Sequence, residues 1–176
     1  MKTLQFSNKD TMHCIGLGTW KEKGNTVKQA VKDALHAGYR HIDTAAVYDN
    51  EKEIGEALTE VFAEGRILRE DVFVTSKLWN DAHKEGDVIP ALQKSLKNLQ
   101  LEYLDLYLIH WPVAFKNGVS FPQKPNDYYS LEEVPIVETW KQMELAKENG
   151  MARHIGVSNF SKKKLKDLVG KATHKP

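Results

Sequence analysis

Four side chains that can hold, release or steer a proton stand where short apolar runs end. Asp43 lies at the close of the run Arg40 to Thr44, and Tyr48 follows shortly after it. Lys77 comes after Val72 to Ser76, and His110 after Leu104 to Ile109. Taken singly, each has a structural explanation: Asp43 can cap a loop, Tyr48 can pack as an aromatic, Lys77 can be a surface charge and His110 a satisfied core histidine. Together, at the ends of successive runs, they are hard to explain as packing. Lysine and aspartate are rarely buried unless paired, and here each offers the other a partner. The pairing has a chemical use. A free phenol titrates near ~10, too high for ready proton donation at neutral pH, and a neighbouring ammonium eases the proton's release by favouring the phenolate. Tyr48 is then the candidate general acid. The matching reaction is hydride delivery to a carbonyl carbon, in which charge builds on the oxygen. Tyr48 supplies the proton, and His110 orients or polarises that oxygen.

The histidines, at His13, His36, His41, His83, His110, His154 and His174, have no second ligand at the spacing of a zinc site. No metal is expected, so the hydride must come from an organic cofactor. The glycine-rich stretch Gly16-Leu17-Gly18-Thr19-Trp20-Lys21 fails the dinucleotide fingerprint, because its sixth position is lysine. It fits instead a first strand running to the mouth of a sheet, where Trp20 walls a pocket.

The elements that must position these groups alternate. Runs Thr3 to Phe6 and Thr11 to Cys14 flank the turn formers Ser7-Asn8-Lys9-Asp10, which predicts a hairpin. The run Ile15 to Thr19 then precedes Val27, Ala30, Val31, Ala34 and Leu35 at helical spacing, with Gly38 as the cap. Arg40 to Thr44 precedes the face Ile54, Ala57, Leu58, Val61 and Phe62. Val72 to Ser76 precedes Val88, Leu92, Leu96 and Leu99, with Pro90 tolerated in a first turn. Leu104 to Ile109 leads through a long loop to Ile136, Trp140 and Met143, and His154 to Val157 leads to Leu165, Leu168 and Val169. Strands alternating with helices imply a parallel sheet, either open and doubly wound or a (β/α)8 barrel. In both, ligands bind at the carboxyl ends of the strands, where the four groups lie, joined by Ser158 and Asn159 after the fifth run. The loop 113–130 carries Phe115, Phe121, Tyr128 and Tyr129, either as a pocket wall or as packing across a strand end.

Composition narrows the partners. In 176 residues, 25 basic side chains against 24 acidic ones leave a net charge of +1, so no global field favours nucleic acid or an anionic membrane. The run Lys162 to Lys164 reads as a solvated helix face. The single cysteine, Cys14, has no internal disulfide partner and sits in an apolar run, which predicts a small buried side chain. With no signal-like start and no membrane-length apolar run, the chain reads as one soluble, cytoplasmic domain over residues 1–176.

With these residues assembled, the sequence resembles the aldo-keto reductases, NADPH-dependent carbonyl reductases built on a (β/α)8 barrel with an amino-terminal hairpin. The motifs carrying the resemblance are IGLGTW (15–20), GYRHIDTAAVY (38–48), NEKEIGEAL (50–58), VTSKLW (74–79), LEYLDLYLIHWP (101–112) and IGVSNF (155–160). The resemblance implies Tyr48 as proton donor, Asp43 and Lys77 as its tuning pair and His110 as the carbonyl's orienting group. It further implies that NADPH is bound through Ser158 and Asn159 at the nicotinamide carboxamide, with Gly18, Thr19, Trp20 and Asp43 on the ribose side. Trp20, Val47, Trp79, His110 and Trp111 would line the substrate pocket, with Phe115 or Phe121 from the long loop; for the aromatics, packing is the alternative. The partner is a small carbonyl compound, and the full-length relative is expected to be a monomer.

Two departures follow. The family commonly has a glycine in the hairpin turn and a proline before the first strand, where this chain has Lys9-Asp10 and His13-Cys14. Relatives also continue well past the position of Pro176, through strands six to eight and the remaining cofactor contacts. The expected architecture is therefore the hairpin plus about five βα units of a barrel, able to self-associate through its open side. The isolated chain is expected to turn over poorly with NADPH, and the competing reading is a catalytically inactive half-barrel serving as a binding or assembly module. A short-chain dehydrogenase, with tyrosine and lysine four apart on one helix, does not fit Tyr48 and Lys77.

Overall fold

The computed structural model describes residues 2–176. An amino-terminal hairpin, β1 (Thr3–Gln5) and β2 (Thr11–His13), precedes five strands and five helices in strict alternation: β3 (Leu17–Gly18), α1 (Gly24–His36), β4 (His41–Asp43), α2 (Glu51–Ala63), β5 (Phe73–Leu78), α3 (Val88–Leu99), β6 (Leu104–Ile109), α4 (Ile136–Glu148), β7 (Ala152–Val157) and α5 (Lys162–Val169). The five strands are all parallel and lie side by side in chain order, β3-β4-β5-β6-β7. A doubly wound sheet reverses its order at a switch point; this one never does. Right-handed crossovers that always step the same way put every helix on the same face, and α1 packs on α2, α2 on α3 and α3 on α4.

That face is the main core. Val27, Val31 and Leu35 of α1 recur at helical spacing, as do Ile54, Leu58 and Val61 of α2 and Leu92, Leu96 and Leu99 of α3. They cover Ile42, Val74, Leu78, Tyr107, Ile109 and Ile155 from the sheet. Because strand side chains alternate, the intervening positions point the other way: His41 bonds Thr75 through Nε2 at 3.1 Å, and Leu106 and Leu108 lie only half-buried. Helix ends follow from backbone chemistry. At α1, Gly38 at φ 98° lets its own N–H reach Leu35 O and that of Tyr39 reach Ala34 O, closing the last turn. Gly150 does the same for α4 at φ 72°.

The hairpin seals the end of the sheet opposite the four candidate groups. Phe6 stacks on the His154 ring at 4.0 Å, and Asp10 Oδ2 lies 2.9 Å from His154 Nε2. The turn takes Lys9 through φ 74°, a left-handed conformation that glycine adopts more easily. Lys9-Asp10 is the pair at which the resemblance led a turn glycine to be expected.

The strands differ from expectation in length. Only Leu17 and Gly18 of the run Ile15 to Thr19 join the ladder, since β3 is an edge strand paired on one side. The third strand extends past Ser76 through Lys77 to Leu78, so the ammonium is carried by paired backbone. Cys14, expected to be buried, is exposed. It lies in the link from β2 to β3, where Ile15 is exposed as well, and no described element covers that edge.

One helix contact is tight enough to test. A Cβ on Gly55 of α2 would overlap the Asn98 carbonyl oxygen and stand 2.6 Å from the Leu99 carbonyl carbon of α3. Backbone cannot retreat as a flexible side chain can. Gly55→Ala is expected to cost about 1–3 kcal/mol, read as a lowered midpoint of urea unfolding; an unchanged midpoint would contradict the close approach.

Candidate active site

Strand ends and the loops after them gather the four groups. Asp43 ends β4, Tyr48 ends a short 3-10 turn (Ala46–Tyr48), Lys77 is the penultimate residue of β5, and His110 follows β6. The Lys77 ammonium is the hub. It lies 2.6 Å from Asp43 Oδ1, 2.7 Å from the Thr44 carbonyl oxygen and 3.4 Å from the Tyr48 hydroxyl. Lys77 is only 6% exposed, and a buried ammonium is tolerated when its hydrogens are met by a carboxylate and other acceptors. Tyr48 is thereby fixed beside a cation.

His110 completes the floor. Its ring meets Tyr48 edge-on at 5.8 Å and Trp79 at 5.1 Å. Burial, and secondly the Lys77 charge, pull its pKa down to about 4, with Asp43 pulling weakly the other way. The ring is therefore neutral at pH 7. Nδ1 is sealed in without a partner, whereas Nε2 is not. A buried N–H without an acceptor costs more than a bare lone pair, so the proton belongs on Nε2.

Trp20, Val47, Tyr48, Trp79 and Phe121 line one cavity of about 1090 Å³, open to solvent, which runs on between α2 and α3 past Glu51, Lys94 and Asn98; of the four acid-base groups only Tyr48 lines it, and His110 lies outside it. Trp79 donates from Nε1 to the Ser120 carbonyl at 2.9 Å and packs against Phe121 at 6.0 Å, so the long loop hangs from the strand end. Phe115 is buried behind Trp79 and against Tyr128, bridged to Tyr128 by backbone; it supports the wall and does not line the cavity. Trp111 is exposed and also outside the lining.

Of the residues expected at the cofactor, Thr19 is buried and gives its hydroxyl to the Asp43 carbonyl at 3.1 Å, while Gly18 is exposed. Asn159, at φ 61°, donates through Nδ2 to the His110 carbonyl at 2.8 Å and to Ser158 Oγ at 3.0 Å. That leaves the Asn159 amide oxygen open as an acceptor.

Three residues near this site were not anticipated. Asn50 and Glu51, at the head of the NEKEIGEAL motif, are buried. Glu51 accepts from Ser76 Oγ at 2.7 Å, and burial raises its pKa. His83, after β5, is 1% exposed with neither ring nitrogen partnered, and burial alone pulls it to about 4. The motif itself signalled the first two; nothing in the sequence around His83 marked it. Among the described residues, no three His, Cys, Asp or Glu side chains are grouped to hold a metal ion, and no helix is long and apolar enough to cross a membrane.

The sequence profile of the Aldo/keto reductase family matches residues 14–176. The chain belongs to this family. Aldo-keto reductase family 1 member A1-A of Danio rerio is 49% identical over 99% of this chain and 54% of its own length. Family 1 member A1 of Xenopus tropicalis is 52% identical over 92% of this chain and 50% of its own. Among solved structures, the aldose reductase of Schistosoma japonicum superposes with a TM-score of 0.94 at 45% identity, covering all of this chain and 59% of that one. A Bombyx mori aldo-keto reductase in complex with NADP gives 0.88 at 42%, covering 99% and 56%. The chain thus spans about half the length of the curated relatives it matches, and its hairpin and five βα units are that share of a (β/α)8 barrel.

His83 and His110 bear on stability. Each is neutral when folded down to about pH 4 but protonates near ~6.5 when unfolded. Stability is therefore full above 6.5 and falls as pH drops from there towards 4, because the unfolded chain binds the extra protons. His83→Phe keeps a planar ring without the titration. Its melting temperature is expected to fall less steeply than that of the parent between pH 6.5 and 4; equal slopes would count against a neutral, buried His83.

Proposed function

We propose that this site reduces aldehydes or ketones to alcohols at the expense of NADPH, with Tyr48 as the proton donor. The observation that carries the proposal is the Lys77 ammonium, held at 2.6 Å from Asp43 Oδ1 and 3.4 Å from the Tyr48 hydroxyl. A carbonyl oxygen gaining charge needs a proton and oriented donors in a site with little water. The Tyr48 hydroxyl gives the proton, and Lys77, paired with Asp43, stabilises the phenolate left behind. His110, neutral and carrying its proton on Nε2, donates a second hydrogen bond to the same oxygen and fixes which face of the carbonyl is presented. Trp20, Val47, Trp79 and Phe121 offer a largely apolar wall beside the Tyr48 hydroxyl.

The residues present suit a nicotinamide cofactor. The Asn159 amide oxygen and Ser158 hydroxyl complement a carboxamide, and Gly18, Thr19, Trp20 and Asp43 would flank its ribose. NADPH, when bound, supplies the hydride. The whole protein is proposed to act as a cytoplasmic monomer on small carbonyl compounds. The 176 residues by themselves, about half the length of the relatives, are proposed to turn over slowly.

Tyr48→Phe removes only the acidic oxygen. It is expected to lower kcat for NADPH-dependent carbonyl reduction by about 10²–10⁴-fold, with the melting temperature and the NADPH fluorescence titration near those of the parent. Retained turnover in Tyr48→Phe would sink the assignment of the acid.

A further inference from the structure

Asn50 is the N-cap of α2, a position where asparagine ordinarily accepts from the free N–H groups of its own first turn. Here it makes no such bond. Its side chain, 1% exposed, is spent elsewhere. Nδ2 donates to the Thr19 carbonyl at 2.7 Å and to the Glu22 carbonyl at 2.8 Å, and Oδ1 accepts from Thr44 Oγ1 at 3.2 Å. Both amide hydrogens are used, in a place with almost no water to replace a lost partner.

The partners share one property. Thr19 and Glu22 bracket the turn that carries Trp20, whose ring stands 6.4 Å from that of Tyr48. The turn curls through Lys21 at φ 77°, an unfavourable conformation for a lysine that persists only where the surroundings impose it. Thr44 is the residue whose carbonyl oxygen takes the Lys77 ammonium at 2.7 Å, and it is wholly buried. One amide group therefore ties the pocket wall to the backbone that cradles the cation. A helix gives up its cap and a turn bears strain to keep that tie.

We infer that Asn50 is a positioning residue for the acid–base site, holding Thr44 and the Trp20 turn in register so that the Lys77 ammonium stays against the Tyr48 hydroxyl. The inference rests on the proposed carbonyl reduction. Asn50 touches none of the reacting groups; it acts on Lys77 through Thr44 and on the pocket through the turn.

Thr44→Val cuts only the Oδ1 arm at nearly constant volume, and Thr44→Ser restores the hydroxyl. Asn50→Ala cuts both arms. Made in the protein at its natural length, beside the parent and Tyr48→Phe, Thr44→Val and Asn50→Ala are expected to lower kcat about ten- to a hundredfold, as small misplacements of catalytic groups do. The KM for NADPH should hold in Thr44→Val, which leaves the turn's bonds in place, and in both variants the solvent deuterium isotope effect on kcat should rise as proton delivery becomes limiting. Thr44→Ser should recover parental kcat. Hydrogen exchange, which needs no turnover, should quicken at residues 20–23 in Asn50→Ala while β5 stays protected.

Parental kcat and isotope effect in both Thr44→Val and Asn50→Ala would overturn the inference while leaving carbonyl reduction intact. An equal loss in Thr44→Ser, or a loss of protection throughout β5, would also overturn it by exposing a general folding defect. An inactive parent would instead remove the reading on which the inference stands.

Discussion

The cation of Lys77 is the constraint around which the site is arranged. An ammonium only 6% exposed would be strongly destabilising without acceptors close by, and it has them from two different segments. Asp43 and the Thr44 carbonyl come from the end of β4, and Tyr48 from the turn after it. These contacts hold the exits of β4 and β5 together. The ladder brings Asp43 level with Thr75, two residues before the lysine, so Lys77 projects just beyond the last pair of that ladder, where Asp43 and Tyr48 meet it. The requirement to satisfy a charge and the geometry of a parallel sheet thus select the same arrangement.

Around that hub, polar side chains of the βα turns do the work of connection. Thr19 bonds the Asp43 carbonyl, Asn50 reaches back across the exit of β3, and Asn159 ties the end of β7 to the His110 carbonyl. Each link joins one strand exit to another, and none is a bond within a single element. The opposite end of the sheet is held differently, by the stacking of Phe6 on His154 and its contact with Asp10. Chemistry and closure are separated by the length of a strand.

Much of this was legible in the sequence. The helix faces were visible because Val27, Val31 and Leu35, or Leu92, Leu96 and Leu99, recur with the period of a helix, a signal that needs no knowledge of distant contacts. The gathering of Asp43, Tyr48, Lys77 and His110 was visible because strand ends follow apolar runs. What remained hidden depends on partners far away in the chain. Cys14 sits among apolar residues yet is exposed, because burial at a sheet edge depends on what lies beside it. Asn50 stands in the sequence only as the first letter of a motif, and only the folded loops reveal that its amide turns away from its helix. Phe115 and Phe121 are indistinguishable as loop aromatics, until the bridge to Tyr128 buries one and the bond from Trp79 to Ser120 presents the other.

The suspension of the long loop from Trp79 attaches it by a contact that is indifferent to the loop's side chains. The indole N–H grips a backbone carbonyl, which any residue at position 120 supplies, so the segment around it is free to change its side chains without loosening the attachment. The floor beneath has less freedom, since the donors there, Lys77, Thr19 and Asn159, are particular side chains even where the acceptor is backbone. Side chains in the hanging segment can therefore be exchanged without disturbing the groups around Lys77.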